Sequence, residues 1–223
     1  MVSIMIRWIF IAFLAFISPA LADSNTEEHQ SSEDILSLRE GDIYLGSVDA
    51  PIIMIEYDSL SCIHCARFNS DVLPYIKKNY IDKGYVLFVI RDFPLDPAAC
   101  HAAMLSRCYA KGDASKLERL RSALFKHQKS WLKNDYKPAL RNIAKLAGMS
   151  DEEIDGCINN PEFKTKAAKS RLDAIIHLNI SATPIFFING IRSAGLNSIE
   201  YFDSMINEIL EEKSHSAKER YNQ

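Results

Sequence analysis

Glycine and proline are scarce, 8 of each in 223 residues, while 48% of the chain is hydrophobic; collagen-like and intrinsically disordered classes are thereby excluded. Cysteine is scarce as well. Five cysteines are too few for a small disulfide scaffold, and a chain of this length buries a core without such staples. Their presence therefore calls for chemistry or for an oxidising compartment. No basic run is present: 26 Lys and Arg against 29 Asp and Glu leave a net charge of −3, so the electrostatic footprint of a nucleic-acid-binding protein is missing. Beyond the first 22 residues no stretch is long and apolar enough to span a bilayer. One globular domain is the expectation.

The chain opens with a single cation, Arg7, then the apolar run WIFIAFLAFI and the small-x-small ending Ala20-Leu21-Ala22. This is the pattern of a cleavable signal peptide over residues 1–22. An uncleaved membrane anchor is the alternative, and it needs about 20 apolar residues without a breaker; Pro19 interrupts this one. Export to a bacterial periplasm follows, an oxidising place in which disulfides persist. Residues 23–41 and 213–223 are polar and charged, and they read as solvated extensions with little packing.

The remainder divides by periodicity. Ile52–Ile55 and Tyr85–Ile90 are continuous apolar runs of strand length, as in strands covered on both faces. Between them, Phe68, Val72, Tyr75 and Ile76 recur at helical spacing within 62–79, and Pro74 is expected to kink or divide that helix. A short strand at Asp42–Leu45 precedes this βαβ unit. From 97 to 180 only helices are indicated. Leu117, Leu120 and Leu124 form an apolar stripe, Pro138 opens a helix that runs to Gly148, Ser150 and Glu153 form a capping box, and Asn160-Pro161 opens another helix. Strands return at Pro184–Ile188 and Ile191–Ser193. Asn189-Gly190 between them favours a hairpin, because both turn residues must accept positive φ. Asn197 then caps a last helix with Ile199, Phe202, Ile206, Ile209 and Leu210 on its inner side. The expected class is α/β, with βαβ and ββα portions at 42–96 and 181–212 and an all-helical insert at 97–180.

Cys62-Ile63-His64-Cys65 falls where the first long strand turns into a helix. Cysteines three apart at a helix start share a face, so their sulfurs can bond to each other or act in relay. Unpaired N–H groups and the helix dipole favour negative charge on the first, which makes Cys62 the attacking thiolate. His64 can add a donor or a positive charge. A stabilised thiolate stabilises the reduced pair and makes the disulfide a stronger oxidant. Other uses of C-x-x-C fit less well. Zinc needs a second close pair of ligands, and the only candidate, Cys100-His101, has an awkward adjacent spacing. Haem attachment needs His after the second Cys, where this chain has Ala66. A purely structural bond across three residues closes too small a loop to stabilise much. Glu56 lies inside the apolar strand, six residues before Cys62. Burial there is costly, so it either faces solvent or has a function.

The strand, Cys62-Ile63-His64-Cys65, the helix, the helical insert and a late Thr183-Pro184 before a hairpin resemble the DsbA-like branch of the thioredoxin fold, alphaproteobacterial type, over about residues 40–212. The resemblance implies a thiol:disulfide oxidoreductase without cofactor or metal, acting as a monomeric oxidase on folding secreted proteins and re-oxidised by a quinone-linked membrane partner. It implies that Pro184 is cis and lies against the disulfide, with the Thr183 backbone pairing with an extended substrate; the residues alone indicate an ordinary trans proline at a strand start. It also implies that Glu56 is a buried acid that accepts a proton from Cys65, as a carboxyl with a burial-raised pKa can. Ile63 stands where the family usually carries Pro, which leaves the strength of the oxidant open.

Of Cys100, Cys108 and Cys157, one pair and one leftover is the expectation in an oxidising compartment. The resemblance implies Cys108–Cys157 within the insert; Cys100–Cys157, or three unpaired apolar thiols, are the other readings. His101, His127 and His177 have no partner at ligand spacing. Phe125, Trp131 and Tyr136 fit either helix packing or a peptide-binding face. Two rivals accompany the oxidase. An isomerase or reductase shares its chemistry, although the roughly 20 residues ahead of the first strand are too few for a dimerisation domain. A zinc- or peptide-binding protein on the same fold represents a different class.

Overall fold

The structure is a computed structural model that describes residues 32–133 and 135–221. The expected signal peptide, residues 1–22, and the start of the 23–41 extension lie outside the described residues. Among the described residues no helix is long and apolar enough to cross a membrane.

A short helix α1 (Ser32–Leu36) leads into β1 (Ile43–Leu45) and β2 (Ile52–Asp58). Next comes a helical passage, α2 (Ile63–Arg67), a wide π turn at Phe68–Val72, α3 (Leu73–Ile76) and a second π turn at Lys77–Ile81, which delivers the chain to β3 (Val86–Asp92). Pro74 divides this passage without ending it. Proline offers no N–H to the carbonyl one turn back, and the helix widens over Phe68–Val72 immediately before it. Six helices follow: α4 (Pro97–Ala110), α5 (Ala114–Lys126), α6 (Gln128–Trp131), α7 (Tyr136–Leu146), α8 (Asp151–Ile158) and α9 (Pro161–Leu178). The chain returns through the hairpin of β4 (Ile185–Ile188) and β5 (Ile191–Ala194), and closes with α10 (Ile199–Tyr221).

The sheet order is β1-β3-β2-β4-β5. β2 and β3 are parallel, with Ile52 opposite Val86 and Asp58 opposite Asp92; the outer pairs are antiparallel. Alternation divides the side chains between two faces. Met54, Phe88 and Phe186 meet Phe68, Ile76, Phe202 and Ile206 on one face, with the Phe68 ring 4.6 Å from Phe186 and 5.6 Å from Phe202. Ile55, Tyr57, Val89 and Phe187 meet Ile35, Ala174 and Leu178 on the other. Burial of each such side chain stabilises by about 1.5–3 kcal/mol. α9 thus covers the sheet as well as completing the insert, whose own core gathers Leu120, Leu124, Trp131, Leu140 and Ile154 and extends to Cys65.

Three expectations need correction. The polar extension is not solvated throughout: Ile35 is fully buried, and the guanidinium of Arg91 on β3 donates to the Ile35 and Ser37 carbonyls and pairs with Asp42 at 2.6 Å. A buried cation requires acceptors, and this segment supplies them. At the other end, α10 runs to Tyr221 and so passes the expected boundary at 212, and residues 211–216 are exposed. The cap of α10 is Ser198, whose Oγ accepts from Tyr201 N–H at 3.3 Å. Asn197 instead donates to Ser193 Oγ at 2.9 Å, tying the helix entry to β5.

Cys108 on α4 and Cys157 on α8 are joined by a disulfide across 49 residues, and Cys100 is free. Replacing both bonded cysteines by serine is expected to lower stability by about 2–4 kcal/mol, since the crosslink restricts the unfolded chain. Guanidinium unfolding at fixed redox state measures this; an unchanged midpoint would refute it.

Candidate active site

β2 ends at Asp58, and Ser59–Ser61 turn the chain into α2. The turn is held locally: Cys62 N–H donates to the Ser59 carbonyl at 2.9 Å, and Ser59 Oγ accepts from Leu95 N–H at 3.2 Å. Cys62 is the N-cap of α2, in extended conformation, and Cys65 sits in the first turn. Both are free thiols. Their exposures separate their roles, for Cys62 retains 9% of its surface and Cys65 none. Cys62 keeps a small accessible surface and Cys65 is sealed.

The peptide Thr183-Pro184 is cis. It brings the loop before β4 over the cysteines, where Cys62 Sγ donates to the Thr183 carbonyl at 3.3 Å. The Cys62 thiol is lowered from 9.0 to about 5, first by a hydrogen bond from Cys65 Sγ, which outweighs the cost of burial. The Thr183 side chain and the backbone N–H groups of Cys65 and His64 act in the same direction. Cys65 is pushed far up by burial, then by donating to Cys62 and by the nearby charges of Asp58 and Glu56. The His64 side chain is exposed, so what this residue gives Cys62 is a backbone N–H. Ile63, beside it, is 44% exposed.

Beneath Cys65 lies a buried set of charges. Glu56 is 4% exposed and therefore faces inward; its Oε1 has no hydrogen-bond partner. Burial and then Asp58 raise its pKa well above the ordinary value. Asp58, two residues on and so on the same strand face, pairs with Arg121 from α5, and Arg121 also holds Asp92 of β3 at 2.8 Å. Arg107 from α4 reaches Asp92 at 2.7 Å. Burial opposes ionisation of Asp92, but Arg107 and Arg121 overcome it and hold its carboxyl below the usual range. The two guanidiniums face three carboxyls, and Glu56 is the one with no salt bridge to either of them.

Sequence reasoning did not find Asp58, Asp92, Arg107, Arg121 or Gln128. A signal was present for two of them: Arg121 lies within the apolar stripe of Leu117, Leu120 and Leu124, and Gln128 follows one turn beyond. Polar residues at buried positions of a stripe need partners, and here both spend their donors around the cysteines. The aromatic residues resolve toward packing. Trp131 is fully buried and donates to the Leu124 carbonyl at 2.8 Å, Phe125 is buried in the insert core, and Tyr136 meets His101 Nδ1 at 2.8 Å. Among the described residues no three His, Cys, Asp or Glu side chains converge in a way that could hold a metal ion.

A reachable thiol of low pKa, paired with a sealed one at a helix start, is the arrangement of thioredoxin-fold proteins that exchange disulfides. The family profile described as Thioredoxin matches residues 38–208. The chain belongs to that family, in its branch of DsbA-like thiol:disulfide oxidoreductases. A Rickettsia conorii protein provisionally named a protein-disulfide oxidoreductase is 32% identical over 180 residues, covering 80% of this chain; the chain spans 64% of that relative's length. Disulfide bond formation protein D of Bacillus subtilis is 29% identical over 153 residues, 67% of this chain and 68% of that one. Among solved structures, Wolbachia pipientis alpha-DsbA1 superposes with a TM-score of 0.78 at 34% identity, covering 84% of this chain and 99% of that one.

Proposed function

We propose that the chain works as a disulfide oxidase, donating a Cys62–Cys65 disulfide to protein thiols through a mixed disulfide. The observation that carries this reading is the asymmetry of the pair, with Cys62 reachable and lowered to about 5 while Cys65 is buried and raised. A substrate thiolate attacks Cys62 Sγ; the S–S bond breaks, the electron pair goes to Cys65 Sγ, and Cys65 takes up a proton. A second substrate thiolate then attacks the substrate sulfur of the mixed disulfide. Cys62 leaves as a thiolate, which its low pKa favours. The substrate has lost two electrons and the protein has gained them.

Glu56, a buried carboxyl raised in pKa, is the proton carrier in this scheme: protonated while the disulfide is intact, it gives its proton to Cys65 in the forward direction and takes it back during re-oxidation. Thr183, whose carbonyl already touches Cys62, supplies backbone to an extended substrate, with Pro184 shaping that loop. Residues 1–22 direct export to the periplasm, and a quinone-linked membrane protein restores the disulfide. The chain acts as a monomer, with no metal or cofactor.

Equilibration with glutathione, together with oxidation of reduced ribonuclease and reactivation of scrambled ribonuclease, tests the direction of the reaction. The expected results are a Cys62 titration near 5, an equilibrium favouring the dithiol, and faster oxidation than isomerisation. Cys65→Ala should accumulate mixed disulfides visible on non-reducing gels. A Cys62 titrating as an ordinary thiol, with a strongly reducing potential, would overturn the oxidase assignment.

A further inference from the structure

The turn that carries Cys62 is held from the insert by one side chain. Gln128, the first residue of α6, is 4% exposed. Its Nε2 donates to the Leu60 carbonyl at 2.8 Å and to the Cys62 carbonyl at 3.0 Å. A primary amide has two N–H bonds, and both are spent here on carbonyls two residues apart in the chain. The Cys62 carbonyl also accepts the Ala66 N–H at 3.1 Å, so it is gripped from its own helix and from the insert together.

Gln128 is itself well anchored. α6 is fixed to α5 by the Trp131 indole, which donates to the Leu124 carbonyl at 2.8 Å, and α5 is fixed to the sheet by Arg121 through Asp58 and Asp92. The grip on the cysteine turn therefore comes from a braced element.

We propose that Gln128 is a positioning residue for the redox pair: its carboxamide locks the backbone at Leu60 and Cys62 against the insert, so the Cys62 sulfur can change partners while its helix start stays in place. This deepens the oxidase reading and rests on it, because the reaction requires Cys62 Sγ to face Cys65, then substrate, then Cys65 again. A turn free to move with the sulfur would carry the His64 and Cys65 N–H groups out of line with it. Those groups hold the thiolate, so the consequence is measurable at the sulfur itself.

Gln128→Met keeps the length of the side chain and removes both donors. Its Cys62 titration, followed by thiolate absorbance in the folded, reduced protein, is expected to move up by about one pH unit, a tenfold loss of thiolate at a given pH below the midpoint. Gln128→Glu, titrated over the same range, retains at most one donor when protonated and should shift the midpoint in the same direction. Ile154→Ala serves as the control. Ile154 is fully buried on α8, which packs on α4 and α7, and its side chain makes no hydrogen bond to the cysteine turn, so the variant loosens the insert and should leave the Cys62 titration where it was.

Amide hydrogen exchange of residues 60–66 gives a second readout in the wild type and in whichever Gln128 variant folds, with faster exchange expected in the variant. An unchanged midpoint in both Gln128 variants would overturn the proposal. So would a shift as large in Ile154→Ala, since the effect would then be one of general loosening. Failure of the oxidase reading itself is separate: it would appear as a strongly reducing potential in the wild type, whatever Gln128 does.

Discussion

Between pH 8 and pH 4 the reduced protein should lose about 4 kcal/mol of stability relative to the oxidised one, from the linkage between a shifted thiol and folding. Cys62 is lowered from 9.0 to about 5 in the folded chain. A group whose folded pKa lies below its unfolded value contributes stability that is fully present above the unfolded value and is lost as pH falls through the folded one. Cys65 is shifted the other way, and its contribution is present at low pH and fades only as pH rises past the ordinary thiol range. The useful window is therefore pH 5 to 8, where Cys62 alone changes. Groups without a coupling to the cysteines, Asp92 among them, titrate in both redox forms and cancel in the comparison. Urea unfolding of the two forms across this window measures the difference. Cys62→Ala, which has no thiol at 62, should follow a profile parallel to that of the oxidised protein. Parallel profiles for the two wild-type forms would show that Cys62 is not perturbed. The same free energy that stabilises the folded dithiol disfavours the disulfide, so this measurement also reports the origin of oxidising power.

Removal of Arg121 is expected to be the most damaging single change outside the cysteines. The side chain is 2% exposed and bridges Asp58 and Asp92. Arg121→Met leaves Asp58 buried without its cation, and breaking one side of a buried pair costs about 3–5 kcal/mol. Asp92 keeps Arg107, which limits the damage to the Asp58 side. The sign of the pH dependence follows. Asp58 is raised already, by burial above all, and without Arg121 it is raised further, so the deficit should grow as pH rises from 4 to 8. Asp58→Asn combined with Arg121→Met should recover part of the loss, because the uncompensated charge is gone. Denaturant unfolding of the two single variants and the double one gives the coupling; additive losses would show that the pair does not act as a unit.

Much of the architecture was legible because the signals are local. Asn189 and Gly190 adopt φ of 47° and 84° between β4 and β5, as a two-residue hairpin demands. Ser150 and Glu153 form both bonds of the capping box at α8. The apolar runs became β2 and β3, the two parallel strands of the sheet. Each of these depends on neighbours within a few positions. Where a local signal had two solutions the chain could take the other one, as at α10, where Ser198 caps and Asn197 turns back to Ser193. The docking of α1 was illegible for a different reason. Its packing is imposed by Arg91, more than fifty positions away in the chain.

The same division holds for the cysteines, which first appeared only as a small number needing an explanation. By itself the sequence determined the α/β class, the order of elements and the placement of Cys62 and Cys65 at a strand-to-helix junction, because periodicity and caps are written in adjacent residues. Only the tertiary structure decided that Glu56 faces inward, that Arg121 reaches Asp58 across 63 positions and that Gln128 reaches Leu60 across 68. Those choices belong to distant groups brought into a dry interior, where an unpaired charge or donor is costly and each must find a particular partner.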